Sequence, residues 1–110
     1  MSKHVVILRN KRKGTLTRDL LMRHIDHLRA LKAQGQLVLC GPFVDDSGAF
    51  LLLDAASVQD AEAIVKTDPF ITQHYYQSFE VHELIESNES NNWLMDDPQT
   101  KGNIKTTATK

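Results

Sequence analysis

A helix that ends abruptly and leads into a strand constrains this chain more than any other feature. Residues 23–42 read RHIDHLRALKAQGQLVLCGP, and on a helical wheel His24 lies in the middle of an apolar stripe that comprises Leu20, Leu21, Leu28 and Leu31. Such a stripe packs against a sheet or another helix. We therefore expect the His24 imidazole to face the protein interior or a pocket within it.

A histidine in this position has two interpretations. It is a structural core residue if neighbouring groups satisfy both ring nitrogens. It is a general acid or base if a carboxylate fixes its tautomer, because histidine exchanges protons near neutral pH. The residues alone leave three carboxylates as candidate partners, Asp45, Asp46 and Asp68.

The first half of the chain predicts two strands, the helix and a turn. HVVIL, residues 4–8, reads as a buried strand, and residues 9–15 read as a basic loop from which Arg9 or Lys11 reaches over a pocket to attract an anionic substrate. Thr17 caps the helix and Gly35 ends it. A second strand at residues 37–40 is closed by Gly41 and Pro42, and VDDSG at residues 44–48 forms a turn.

The second half supplies a strand, a helix and a final strand. FLLL, residues 50–53, is apolar without alternation, which predicts that both faces of the strand are covered, one by helices and the other by a second copy of the protein. A helix begins after Ser57 and stops at Thr67, because Pro69 disfavours helical geometry in Asp68. Residues 75–85 form the last strand.

The predicted order β-α-β-β-α-β is the ferredoxin-like α+β arrangement, a four-stranded antiparallel sheet with two helices on one face. We assign residues 1–86 to this domain. Residues 87–110 are too polar to build a core and form a tail, whose one apolar cluster, Trp93, Leu94 and Met95, is available to dock on this subunit or a partner. The lysine- and threonine-rich end after Lys101 is expected to be mobile.

Composition narrows the class of protein. The single cysteine, Cys40, suits a reducing cytosol, and we interpret it as a small buried hydrophobe rather than a nucleophile. No apolar run approaches membrane-spanning length and the N-terminus lacks a secretory signal, which predicts a cytoplasmic protein without a membrane partner. His24 and His27 lack a third ligand at suitable spacing, so no metal and no cofactor are expected.

Charge is distributed unevenly along the chain. Residues 1–32 carry nine Lys or Arg and two Asp or Glu, whereas residues 33–110 carry four and twelve. Basic and acidic segments that interleave in one compact fold largely neutralise each other. Nucleic acid is therefore not an expected partner.

The segment HIDHLRALKAQGQLVLCGP, followed by an acidic turn, an apolar strand, SVQDAEAIVKTDPF and a closing strand, resembles a YciI-like (YCII-related domain) protein over residues 4–85. Its most specific parts are the helix histidine 17 positions before Gly41-Pro42 and the triplet DPF. The resemblance implies a dimeric α/β barrel built from two ferredoxin-like subunits packed sheet to sheet. Cys40 departs from the family pattern, in which a small residue such as alanine is usual.

The resemblance also implies an active-site pair, His24 and Asp68, and proton transfer on small, cyclic, oxygenated substrates. We therefore predict either a lyase similar to a dehydrochlorinase or an isomerase. His24 would then transfer the proton and Asp68 would orient the imidazole ring. Arg9, Gly41 and Pro42 would contact an unidentified small molecule. The alternative is a non-catalytic homodimeric binding or accessory module that keeps the pocket without the chemistry.

Overall fold

Four strands form one antiparallel sheet in the order β2-β3-β1-β4, as described by a computed structural model covering residues 1–105. The elements in chain order are β1 (Ser2–Lys11), α1 (Arg18–Ala33), β2 (Leu37–Pro42), β3 (Gly48–Ala55), α2 (Val58–Lys66), α3 (Pro69–Thr72) and β4 (Tyr76–Leu84). The predicted ferredoxin-like α+β fold is confirmed.

The two long helices begin and end at the residues that the sequence suggested. The Thr17 hydroxyl accepts a hydrogen bond from the Leu20 amide at 3.1 Å, and the Ser57 hydroxyl accepts one from the Asp60 amide at 3.0 Å. Gly35 follows α1 with a φ of +74°, the left-handed conformation that favours glycine. Within residues 1–105, no helix has the length and apolarity needed to cross a membrane.

Strand β1 is longer than the sequence suggested, and the prediction of a loop beginning at Arg9 was wrong. Arg9 pairs with Gly48 of β3 and Ser78 of β4, and Lys11 pairs with Tyr76. The extension forms because neighbouring strands offer backbone hydrogen-bonding partners to these residues. Polar side chains do not prevent this backbone pairing. As a result, Lys11 lies at the end of the sheet where β4 begins.

The two faces of the sheet differ in what covers them. Val6, Leu8, Leu51 and Leu53 are buried in the core beneath the helices. The residues that alternate with them point to the opposite face, where Leu39 is 52% exposed and the others are half-buried, namely Val5, Ile7, Phe50 and Leu52. This second, open face of the sheet carries an apolar centre that no segment within residues 1–105 covers.

The C-terminal residues form short helical segments on the surface. A 3-10 segment spans Glu89–Leu94, and α4 spans Pro98–Asn103. The apolar cluster does not dock on the domain within the protomer, because Trp93 is 61% and Met95 is 62% exposed. The mobility expected after Lys101 concerns in part residues 106–110, which lie outside the described residues.

We propose that the folded domain ends at Glu86. Deletion of residues 87–110 should change the free energy of unfolding by no more than about 0.5 kcal/mol, because the apolar side chains of Trp93, Met95 and Ile104 are exposed. Chemical denaturation followed by circular dichroism measures this change. Loss of the cooperative transition would contradict the proposed boundary.

Trp93 is the only tryptophan, so a blue-shifted emission of the full-length protein would show that the tail docks on a partner subunit.

Candidate active site

Helix α1 and the turn after α2 bring His24 and Asp68 together although 44 residues separate them. His24 Nδ1 lies 2.8 Å from Asp68 Oδ1. The side chains are 14% and 3% exposed, respectively, so solvent screens their interaction little. The predicted proximity of these two residues is confirmed, while their catalytic roles stay a prediction.

The sequence DPF explains why the histidine is held in one orientation. Asp68 is the N-cap of α3, and its Oδ1 also accepts a hydrogen bond from the Phe70 amide at 2.9 Å. Pro69 occupies the first turn of α3, where its missing N–H costs nothing. The Phe70 ring then stacks on the His24 imidazole, with 3.7 Å between ring centroids and 4° between ring planes. The Asp68 carboxylate therefore fixes the edge of the imidazole, and the Phe70 ring fixes its face.

This geometry determines which ring nitrogen is available for chemistry. An ionised carboxylate only accepts hydrogen bonds, so Asp68 selects the neutral tautomer in which Nδ1 carries the proton. The lone pair then resides on Nε2, which makes no hydrogen bond to any other residue between 1 and 105. A histidine in this state can accept a proton from a bound molecule, and the adjacent carboxylate stabilises the imidazolium that results.

His24 lines a cavity of about 410 Å³ between α1 and the end of the sheet. This volume lies in the range of small-molecule sites. Gly41 and Pro42, which the sequence analysis assigned to substrate binding, line the same cavity. Most of the remaining wall is apolar or aromatic and includes Leu8, Leu28, Phe70, Tyr75 and Tyr76. A bound molecule would therefore contact mostly apolar walls beside the His24 ring.

Arg9 does not lie among the residues that line this cavity. It follows the buried Leu8 in β1, so strand alternation directs its side chain to the open face, where it forms an ion pair with Glu80. Lys11, the other basic residue predicted to reach a pocket, does line the cavity. Asn10 lies between the two with a left-handed φ of 60°, which interrupts the strand alternation and leaves Lys11 on the cavity side.

Lys11 is a buried cation with an exposed counter-ion. Its side chain is 8% exposed, and its ammonium forms an ion pair with Asp46 Oδ1 in the turn between β2 and β3. The hydrogen bond from Lys11 lowers the pKa of Asp46, and the same bond raises the pKa of Lys11. Both groups are therefore charged at neutral pH.

Cys40 is not the buried hydrophobe that the sequence suggested. It is an exposed residue of the edge strand β2, and it lines the cavity. Only one strand flanks β2, which leaves its residues less covered than those of β1 or β3. Partial burial raises the pKa of the Cys40 thiol, with a smaller contribution from Asp68. The thiol is therefore protonated at neutral pH, a state in which it is a poor nucleophile.

His27 lies one turn beyond His24 and is half-buried. Burial lowers its pKa, and the charge of Asp68 only partly opposes this effect. Within the described part of the chain, no three His, Cys, Asp or Glu residues cluster closely enough to hold a metal ion.

The sequence analysis missed two aromatic cavity residues, Tyr75 and Tyr76. They pack against each other and against Phe70, with 5.1 Å between their own ring centroids. The available signal was their position shortly after the DPF turn, at the start of the predicted last strand. His74 has a left-handed φ of 59°, and this turn directs the chain back along the sheet so that both tyrosines meet the cavity.

Two of the solved structures that resemble this one are enzymes. The first is the 5-chloro-2-hydroxyhydroquinone dehydrochlorinase (TftG) from Burkholderia phenoliruptrix AC1100, in complex with 2,5-dihydroxybenzoquinone. It is 26% identical, with a TM-score of 0.55, and the match covers 76% of this chain and 94% of that chain. The second is muconolactone isomerase, 16% identical with a TM-score of 0.60, over 78% of this chain and 90% of that chain. At this identity the isomerase shows similarity of fold alone.

A comparison with curated proteins found no match. The model of the YCII-related domain, in contrast, matches residues 3–85. This range includes every strand of the sheet, the helices between them and both residues of the His24–Asp68 pair. The chain therefore belongs to the YCII-related domain family.

Proposed function

We propose that this protein is an enzyme that transfers a proton on a small, oxygenated, cyclic substrate, with His24 as the general acid or base. The observation that supports this most directly is the 2.8 Å contact between His24 Nδ1 and Asp68 Oδ1 in the wall of a cavity of small-molecule size. Asp68 holds the tautomer and stabilises the imidazolium formed during proton transfer.

The similarity to a dehydrochlorinase supports an elimination or a related isomerisation. In an elimination, His24 Nε2 removes a proton from the substrate, the bonding electrons form a new double bond, and chloride leaves. In an isomerisation, the same imidazolium returns the proton to a different carbon. Both reactions are balanced without an external electron donor or acceptor, so proton transfer by one well-oriented histidine is sufficient.

We further propose that the protein works as a homodimer whose open sheet faces pack against each other. The apolar centre of that face supports this arrangement, since a lone protomer would leave it in water.

A cytoplasmic location and a ligand contact from Arg9 remain predictions. Gly41 and Pro42 border the cavity, and we propose that they contact the substrate through their backbone and ring atoms.

Nitrogen-15 NMR of the histidine side chains tests the proposed role of His24. The neutral His24 ring should carry its proton on Nδ1, because Asp68 accepts a hydrogen bond there. Addition of 2,5-dihydroxybenzoquinone should shift the Nε2 resonance of His24. His82 is the matched control, because it lies on the open face of the sheet, opposite the cavity, and contacts Glu80.

Two results would contradict the proposal. One is a neutral His24 that carries its proton on Nε2, since that tautomer has no lone pair directed at a ligand. The other is a quinone that shifts His82 as much as His24, since this would indicate nonspecific association.

A further inference from the structure

Lys11 is an unusual residue for the wall of an apolar cavity. Lysine is almost never buried unless it is paired, yet the Lys11 side chain is only 8% exposed. Its Nζ lies 5.7 Å from the centroid of the Tyr76 ring, within range of a cation–π interaction. The end of β1 therefore places a fixed positive charge beside the cavity, where most neighbours are apolar.

The counter-ion of Lys11 is held much less firmly. Asp46 is 59% exposed and lies in the β2–β3 turn, where its backbone has a left-handed φ of 65°. Its second carboxylate oxygen lies 3.5 Å from the ammonium of Lys13, which is 68% exposed. Asp46 thus has another cation nearby if an anion takes its place at Lys11.

An ammonium group has three protons to donate, and Asp46 Oδ1 accepts only one of them. A ligand with an ionised oxygen would gain charge-assisted hydrogen bonds at Lys11, which are among the strongest in proteins. A neutral ligand would gain only ordinary, weaker hydrogen bonds from the same protons. Such a cavity would therefore favour ligands with an acidic oxygen.

From this arrangement we infer that Lys11 is the specificity-determining residue of the cavity. The Lys11 ammonium binds a phenolate or enolate oxygen of a cyclic ligand, and Asp46 is a counter-ion that this oxygen displaces. The inference rests on the proposed proton transfer at His24, because both residues line one cavity. When His24 removes a proton from the ring, negative charge develops on the ring oxygen, and Lys11 stabilises it.

Binding of 4-nitrophenol tests this inference, since its hydroxyl group ionises near neutral pH and only the anion absorbs strongly in the visible range. Bound to the wild-type protein, it should be more ionised than in free solution at the same pH. The Lys11→Met variant should bind the anion about 10- to 100-fold more weakly, through loss of hydrogen bonds to a charged group. Lys11→Arg keeps the charge and should retain most of the affinity.

The Asp46→Asn variant should change the affinity in the opposite direction. Removal of the competing carboxylate should strengthen binding of the anion by about two- to fivefold, the range expected for an exposed ion pair. Asp45→Asn is the matched control in the same turn, and Asp45 does not line the cavity. This control should bind 4-nitrophenol as the wild type does.

The outcomes separate this inference from the proposed function. Equal binding by the wild type and Lys11→Met, with His24 still shifted by 2,5-dihydroxybenzoquinone, would overturn the role of Lys11 alone. Failure of 4-nitrophenol to bind the wild type would also overturn it. If the quinone then leaves His24 unshifted as well, the cavity is not a ligand site and both proposals fail. A purely structural ion pair predicts that Lys11→Met and Asp46→Asn lower the melting temperature and shift affinity in the same direction.

Discussion

Replacement of Leu52 by aspartate is expected to convert the protein from a dimer into a folded monomer. Leu52 lies on the open face of the sheet, between Leu39 and Val5 in the strand register. Burying an unpaired carboxylate there should cost about 3 kcal/mol or more. Because a twofold interface contains each residue twice, the dissociation constant should rise on the order of ten-thousandfold. Sedimentation velocity measures the change directly.

Two further variants show whether the effect is specific to this face. Ala63→Asp introduces the same group on the exposed side of α2 and should leave the dimer intact. Leu51→Asp should instead unfold the protein, because Leu51 is 5% exposed and belongs to the core beneath the helices. A wild-type monomer at micromolar concentration, or a Leu52→Asp variant that still sediments as a dimer, would contradict the proposed assembly.

Local signals determined most of the fold, and they failed where tertiary pairing decides the outcome. Caps at Thr17 and Ser57 and the left-handed position at Gly35 are set by neighbouring residues, so the sequence located the helices well. The end of β1 depends on whether adjacent strands offer backbone partners to Arg9 and Lys11. That information lies in β3 and β4, 35 or more residues away, and no local pattern expresses it.

The candidate site was predictable to the same extent. The helical wheel predicted that His24 faces inward, and Pro69 predicted that the chain turns at Asp68. Both local signals were consistent with a contact between these two residues. The family resemblance then selected Asp68 over Asp45 and Asp46. The choice of Lys11 over Arg9 was not predictable from their own segment, because it depends on the backbone conformation at Asn10, in the part of β1 that pairs with β4, and on the position of the β2–β3 turn.

The His24→Ala variant should lose nearly all activity in an assay of chloride release from 5-chloro-2-hydroxyhydroquinone, the compound for which the similar dehydrochlorinase is named. Removal of a general base typically lowers the rate by about 10²- to 10⁴-fold. Asp68→Asn should cause a loss in the same range. Its amide oxygen can still accept the hydrogen bonds from His24 and Phe70, but it lacks the negative charge that stabilises the imidazolium.

Asp68→Asn distinguishes a catalytic pair from a structural one because it keeps the cap of α3 and removes only the charge. If the pair is catalytic, this variant should unfold at nearly the wild-type temperature and yet be inactive. If the pair is structural, the variant should lose stability and retain whatever activity the wild type has. A wild-type protein that binds 2,5-dihydroxybenzoquinone beside His24 but releases no chloride and moves no proton on related rings would support the non-catalytic binding module instead, since the same cavity would then serve recognition without turnover.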